Sequence, residues 1–342
     1  MRIALDAMGT DQHPATEVDG ALAALRELPG EFTIVLVGDR PQIEAELARW
    51  EDYPADRLEI QHAPDLIAPS DSAAAAVRRK PDSSIVVGLR LQREGRADAF
   101  VSAGSTGAVM AASLFLLRPL PGVDRPAIGT ILPTSAQPLL LLDAGANVDC
   151  RPQHLLQFAR LGSVYVKDVW QRPRPRVGLL NIGEEPEKGD ELTVEAHQLL
   201  AESGLNFVGN IEGRDVIRGT CDVLVADGFV GNVLLKFYES VTGLMHGLLR
   251  TALAEAGVRL DLDRLFSAFD YAEYGGAPLL GVNGVTIICH GDSPPRAIRN
   301  AIRVAVQARE THMLGHIRRA ISGGRGGPGR TGPGGASGSE GR

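Results

Sequence analysis

Short apolar runs alternate along the chain with stretches whose apolar positions recur every three or four residues. The short runs, at residues 3–5, 32–37, 58–62, 99–101, 129–132, 139–142, 177–181, 207–208, 223–225 and 285–289, predict strands. The amphipathic stretches among them, at 16–27, 71–80, 83–94, 152–169, 187–202 and 295–321, predict helices. Strands continuous in Val, Ile and Leu and separated by helices predict an α/β fold with a mostly parallel sheet covered on both faces. No internal repeat of fixed period is present.

Segment 230–256 breaks this rhythm. Its apolar residues at 230, 234, 237, 241, 244, 245, 248 and 252 keep helical spacing over roughly seven turns, longer than a usual helix. A shorter pattern at 260–269 follows a glycine, so a helical hairpin over about 230–270 is expected to project from the sheet. One reading is a dimer interface or core helix. The other is a helix lying on a membrane surface. The polar face is only sparsely basic, with Lys236, His246 and Arg250, which weighs against the membrane reading.

Composition narrows the picture. The 342 residues suffice for one large α/β domain or two ordinary ones, and 44% hydrophobic with 23% charged residues is ordinary for a globular protein. A formal net charge of −7 argues against a nucleic-acid partner. Cys150, Cys221 and Cys289 are widely separated and form no zinc-ligand spacing, and their odd number suits a reducing cytoplasm. The N-terminal apolar stretch is too short for a signal peptide, and no run of about 18 apolar residues predicts a transmembrane helix. Residues 323–342 are half glycine and are expected to be disordered, which leaves 1–322 as a single domain.

The stretch DAFVSAGSTGAVMAASLF, residues 98–115, reads as strand, Gly-rich turn and helix N-terminus. Gly104, Ser105, Thr106 and Gly107 would offer backbone N–H groups, hydroxyls and a positive dipole end to an anion. It is not a dinucleotide fingerprint, and no P-loop lysine follows. Other apolar runs also end in small or polar residues: Asp6 and Gly9; Asp143 and Asn147; Asn181, Glu185 and Lys188; Asp227, Gly231, Asn232 and Lys236; His290 and Ser293. In an open parallel sheet, ligands bind beyond the carboxyl ends of the strands, so these turns are expected to share one edge and one pocket.

The groups suit a small, highly charged ligand rich in acceptors. Asn147 and Asn232 bring amide donors, and Lys188 brings a compact cation, unless it is a solvated helix-face lysine beside Glu185 and Glu187. Asp143 and Asp227 either serve the site or cap the helices that follow. His290 reads as a general acid or anion ligand, or as a structural turn histidine. Cys150 has no base near it in sequence and reads better as a buried small side chain than as a nucleophile. Cys289 and His290 point to opposite faces of a strand and are not a dyad. No acid follows to hold a nicotinamide-nucleotide ribose, and no metal-ligand cluster appears, so neither cofactor nor metal is expected. With no nucleophile evident, bound phosphate itself can be the attacking group. Arg78, Arg79 and Lys80 form the densest basic spot, either a solvated helix end or a docking patch for an acidic partner.

On these residues the chain resembles the acyl-ACP:phosphate acyltransferase (PlsX) family of bacterial phospholipid synthesis. The resemblance runs from residue 2 to about 310, through IALDAMG, AVRRKPDSSIVVGL, DAFVSAGSTGA, DRPAIGTILPT, LLLDAGANVDCRP, LLNIGEEPEKGDEL, NFVGNIEGRD, DVLVADGFVGNVLLK, YAEYGGAPLLGVNG and HGDS. It implies the three-layer α/β/α sandwich of phosphotransacetylases and isocitrate dehydrogenases. It implies transfer of a fatty acyl group from acyl-ACP to phosphate, giving acyl phosphate and free ACP. It also implies a cytoplasmic homodimer, peripherally attached to the membrane, that feeds a membrane glycerol-3-phosphate acyltransferase. The hairpin resembles the family's dimer and membrane-contact element.

The chain departs from the family pattern at Ser105, usually Asn, at residues 184–187, usually Thr-Glu-Glu-Glu, and at Asp190, usually Asn. Ser105 donates one hydrogen bond where an amide donates two. Glu184 and Asp190 add negative charge near a proposed phosphate site. The mechanism expected is phosphate held by the 104–107 turn, Asn147, Asn232 and Lys188, direct attack on the thioester, and protonation of the thiolate by His290 or water. The rival readings are a phosphotransacetylase-like enzyme using acyl-CoA and a non-catalytic sensor of phosphate or acyl phosphate.

Overall fold

The computed structural model describes residues 1–262, 266 and 271–323. The first half of the chain runs β1 (Arg2–Asp6), α1 (Ala15–Glu27), β2 (Thr33–Gly38), α2 (Arg40–Leu47), β3 (Leu58–His62), α3 (Ala73–Arg79), α4 (Ser84–Arg93), β4 (Ala99–Ser102), α5 (Thr106–Leu116), β5 (Ala127–Leu132) and β6 (Leu139–Leu142). The second half runs α6 (Pro152–Val169), β7 (Val177–Asn181), α7 (Glu191–Ala201), β8 (Phe207–Glu212), α8 (Gly213–Val216), β9 (Val223–Val225), α9 (Gly228–Glu255), β10 (Ala277–Leu280), β11 (Val285–Ile288), α10 (Pro295–Glu310) and α11 (Met313–Gly323).

All eleven strands form one sheet in the order β3-β2-β1-β4-β11-β10-β5-β6-β9-β7-β8. Strand residues alternate between two cores, as period-two geometry requires. Ile3, Leu5, Ile34, Leu36 and Val101 pack under α1, α6 and α10, while Ala4, Val35, Val37 and Phe100 pack under α4 and α5. Burial on both faces is why the strands read as unbroken apolar runs, and it gives the expected three layers.

Pairing is parallel except at β10, which is antiparallel to both its neighbours, and between β5 and β6. This corrects one expectation. Strands β1, β4, β11 and β5 point one way, whereas β6, β9 and β7 point the other. The carboxyl ends of the two groups therefore lie at opposite edges, and the strand-end turns do not share one edge.

Strand β10 is not among the expected strands, and it carries Pro278, a residue that central strands normally exclude. Each of its residues is paired on one side only, where a missing N–H is tolerated. The expected helix 295–321 is two helices, parted at His312 with φ 54°. Helix α2 escaped the pattern because only Ile43 and Leu47 on it are buried. Most of the expected second hairpin arm, 260–269, and nearly all of the tail 323–342 lie outside the described residues.

Helix α9 has 28 residues, or about 42 Å at 1.5 Å per residue. Asp227 caps it by accepting from the N–H groups of Phe229 and Val230 at 2.9 and 3.1 Å. Its first turn abuts the 143–147 loop so closely that a Cβ at Gly231 would lie 1.9 Å from the Asp143 carbonyl oxygen. Beyond that turn the helix exposes Phe237, Leu244, Met245 and Leu248. Among the described residues, no helix is long and apolar enough to cross a membrane.

Replacing Gly231 by Ala is expected to lower thermal stability, at a cost on the order of 1–3 kcal/mol. Gly243→Ala, where the added Cβ meets nothing within 4 Å, is expected to stabilise the same helix by about 0.5–1 kcal/mol. Thermal denaturation followed by circular dichroism reads both; equal behaviour of the two variants would refute the anchoring role of Gly231.

Candidate active site

Strand β10 spends its first two residues on one neighbour and its last two on the other. Ala277 and Pro278 pair with Ile288 and Ile287, while Leu279 and Leu280 pair with Ile128 and Ala127. Beyond those pairs β11 and β5 part, and the opening is a cavity of about 480 Å³. Its walls include Thr130–Pro133 from β5 and the residues after it, Lys236 and Glu239 from α9, and His290 and Asp292 beyond β11. Lys236 pairs with Glu239 at 2.8 Å.

The turn 104–107 stands at the same edge, one strand away. Ile288 is in register with Ser102, and the Cys289 N–H donates to the Ser102 carbonyl at 2.8 Å. Ser105 caps α5, its Oγ accepting from the Ala108 N–H at 3.5 Å, and Thr106 and Gly107 are exposed. The first N–H groups of a helix have no partner within it, so this turn presents donors to solvent.

Two buried carboxylates brace the turn from beneath. Asp6 accepts from Ser102 Oγ at 2.6 Å and the Met8 N–H at 3.1 Å, and Ser102 Oγ in turn accepts from the Gly104 N–H at 3.0 Å. Burial pushes the Asp6 carboxyl up, opposed by hydrogen bonds from Ser102, Ser84 and Met8. Glu17, fully buried on α1, accepts from the N–H groups of Gly9 and Thr10 at 3.1 and 2.6 Å and from Thr10 Oγ1 at 3.0 Å. Burial pushes its carboxyl up to about 7. The loop that Glu17 holds lies directly on the turn: a Cβ at Gly9 would sit 2.6 Å from the Gly104 nitrogen. The same loop is tied to the loop after β11 by the Asp11 N–H, which donates to the Gly291 carbonyl at 2.8 Å. Ser293 Oγ accepts from the His290 N–H at 3.1 Å, so Ser293 shapes the histidine's turn. Asp6, Gly9, the 104–107 turn, His290 and Ser293 thus form one assembly.

The remaining candidates lie elsewhere. Asp143 is fully buried and accepts from the N–H groups of Ile128, Ala146 and Asn147 and from Asn147 Nδ2. Burial raises its carboxyl, and these donors oppose the rise. Asn147 Nδ2 donates to the Pro126 carbonyl at 2.8 Å and to Asp143 at 3.0 Å, so both its protons are spent inside the fold. It is a structural clip, which corrects the expectation of a phosphate donor. Asp227 caps α9. Asn232 is exposed and adjoins Gly145 in this second group, at the edge opposite the 104–107 turn.

Lys188, exposed in the β7–α7 loop, is farther still. Strands β4 and β7 are six spacings apart in the sheet, about 29 Å at ~4.8 Å each. Within one chain, neither Lys188 nor Asn232 shares a phosphate with the 104–107 turn. Glu184 pairs with Arg214 at 3.7 Å and Asp190 caps α7 at 2.9 Å from the Thr193 N–H, so their charges also fall away from the turn.

Arg78 and Arg79 are exposed at the end of α3, whose first residue Ala73 would touch a Cβ on Gly107 at 3.3 Å. The two arginines therefore lie roughly 9 Å along the helix from the turn. Lys80 is tied to Asp71 at 2.7 Å and to the Leu66 carbonyl at 2.8 Å. Burial pushes the thiols of Cys150, Cys221 and Cys289 up to about 11, 12 and 12, so all three are inert at neutral pH. Among the described residues no group of His, Cys, Asp or Glu could hold a metal ion. Glu17 was missed by sequence reasoning, although its signal was there: a carboxylate on the stripe that carries Ala21, Ala24 and Leu25.

The fold and its parted sheet place the protein among phosphotransacetylase-like α/β structures. A phosphotransacetylase from Streptococcus pyogenes superposes with a TM-score of 0.61 at 18% identity, covering 91% of this chain and 94% of that one. A branched-chain phosphotransacylase from Enterococcus faecalis V583 superposes with a TM-score of 0.53 at 14% identity, covering 90% and 98%. The chain belongs to the fatty acid synthesis protein family, whose model matches residues 1–315. A phosphate acyltransferase from Desulforamulus reducens is 49% identical over 94% of this chain and 97% of its own length. One from Pelotomaculum thermopropionicum is 50% identical over 94% and 95%.

The folded-state pKa of Glu17 stands above the ordinary value of 4.5, so between 4.5 and about 7 the folded protein holds more protons than the unfolded chain. The contribution of Glu17 to stability is full below pH 4.5 and is lost as pH rises to about 7. In Glu17→Gln the denaturation midpoint is expected to vary less with pH across that window than in the parent protein. Equal slopes by chemical denaturation would show that Glu17 is not the titrating group.

Proposed function

We propose that the protein is a phosphate acyltransferase that moves a fatty acyl group from acyl-ACP to inorganic phosphate. The observation that carries this reading is the anion-ready turn beside a cleft with no activated nucleophile, in a chain about half identical to phosphate acyltransferases. Phosphate sits at Gly104–Gly107, on the N–H groups of the α5 N-terminus and the hydroxyls of Ser105 and Thr106. One phosphate oxygen attacks the thioester carbonyl, forming the new C–O bond. The C–S bond then breaks, and the thiolate takes a proton from His290 or water. Holding two reactants in place supplies much of the acceleration, since dilute phosphate is a poor nucleophile.

Arg78 and Arg79 serve as the docking patch for the acidic carrier, within reach of the turn, with Lys80 shaping the loop beside them. The exposed apolar face of α9 supports a homodimer and peripheral contact with the cytoplasmic face of a membrane, where a glycerol-3-phosphate acyltransferase would take the product. The second reading is an acyl-CoA-using enzyme, favoured by the likeness to the streptococcal phosphotransacetylase fold.

Thiol release from acyl-ACP is expected to require phosphate and to exceed release from acyl-CoA. A preference for CoA supports the second reading, and ligand binding without turnover supports a sensor. Thr106→Ala is expected to raise the phosphate KM or lower kcat by about tenfold, the scale of one hydrogen bond to a charged group. Reversing charge at Arg78 and Arg79 is expected to raise the KM for acyl-ACP and not that for phosphate; no change would remove the patch from docking.

A further inference from the structure

A second cavity, of about 420 Å³, adjoins the cleft and differs from it in chemistry. Its walls include Val216 and Ile217 at the end of α8, Leu234, Phe237, Val241 and Met245 on α9, and Phe266 beyond it. Tyr238 and Thr242 line both cavities and form the sill between them. The sill is fixed: Tyr238 Oη donates to the Pro133 carbonyl at 2.7 Å, and Thr242 Oγ1 donates to the Tyr238 carbonyl at 3.0 Å. On a helix that turns about 100° per residue, Leu234, Tyr238, Val241 and Met245 share one stripe, Phe229, Val233 and Leu244 fall on the adjacent one, and Phe237 lies where the two meet. The groove and the outer apolar face of α9 are thus adjacent surfaces that share Phe237.

We propose that this groove holds the hydrocarbon chain of the acyl donor and sets the preferred chain length. The inference rests on the acyl-transfer reading and deepens it. A thioester carbonyl placed in the cleft, whose walls mix polar and apolar groups, must send its alkyl chain somewhere, and a long chain left in water forfeits about 0.8 kcal/mol per methylene. Among the described residues, the groove is the apolar cavity that shares a wall with the cleft. A continuous path from a cleft of mixed polarity to an apolar groove matches a fatty acyl thioester from its head to its tail.

The test fills the groove from either wall. Met245 and Ile217 are about half exposed, at 47% and 55%, so Met245→Trp and Ile217→Trp are surface changes that leave the core untouched. Each is expected to lower the long-chain to short-chain ratio of kcat/KM by roughly tenfold, as loss of a few buried methylenes does. Binding of cis-parinaric acid, a fluorescent polyene fatty acid, should weaken in parallel. Parent protein that binds this probe at the groove but releases no thiol with phosphate would sink the acyl-transfer reading and leave the groove standing. Phosphate-dependent turnover with an unmoved chain-length ratio and unmoved probe binding would overturn the groove. Equal loss at every chain length, together with a changed oligomeric state by light scattering, would assign the face to a second copy instead.

Discussion

Everything at the site depends on how a four-residue strand is shared. Because β10 pairs with β11 through its first half and with β5 through its second, neither neighbour is held along its full length. Backbone groups that lose a ladder partner must face water or a ligand, so the sheet opens there at the edge where β4 and β11 end. The opening falls beside the 104–107 turn and His290 for the same reason that it exists at all: β11 is the last strand on that side before the reversal. A ladder of full length at β10 would close the cleft and leave the anion-ready turn facing bulk solvent.

Loops at such an edge need fixing, and this chain fixes them from below with buried acids. Asp6, Glu17 and Asp143 all lie out of contact with solvent, and burial raises all three. A carboxylate tolerates such burial only when donors surround it. Each of these collects backbone N–H groups of the very loop it sits under, so desolvation is offset by ordering that loop. The result at β1 and β4 is a turn whose shape is set by the core, while its exposed first-turn donors stay available. That is the preorganisation that oxyanion and phosphate binding require. The same device at Asp143 does something else: it consumes Asn147 and seats the start of α9.

The sequence carried the strands, the three layers and the 104–107 turn, because these depend on local periodicity and on glycine at a strand-to-helix junction. It did not carry strand direction. Asp143 and Gly104 both follow apolar runs and look equivalent in one dimension, yet the antiparallel β5–β6 pairing sends them to opposite edges, since the two reversals at β10 cancel. Asn232 lies away from the turn for that reason, Lys188 also because six strand spacings intervene, and Asn147 because its amide protons are spent on Pro126 and Asp143. Glu17 was visible as a charge on an apolar stripe, but its partners are backbone groups, which no side-chain pattern announces.

Helix α9 links the two ends of the argument. Gly228 and Gly231 are its buried residues, set against the 143–147 loop, and Leu234, Leu235 and Tyr238 pack partly buried against the core, so the helix is held along its first three turns. Beyond them Val241, Leu244, Met245 and Leu248 are exposed, and such an apolar surface is unfavourable in water unless further surface covers it. The inner stripe turns toward the cleft and α8, and the outer stripe turns away, so two different apolar partners can be accommodated by one helix. A hydrocarbon chain in the inner groove and an apolar surface against the outer face would then both bear on Phe237, where the two stripes meet.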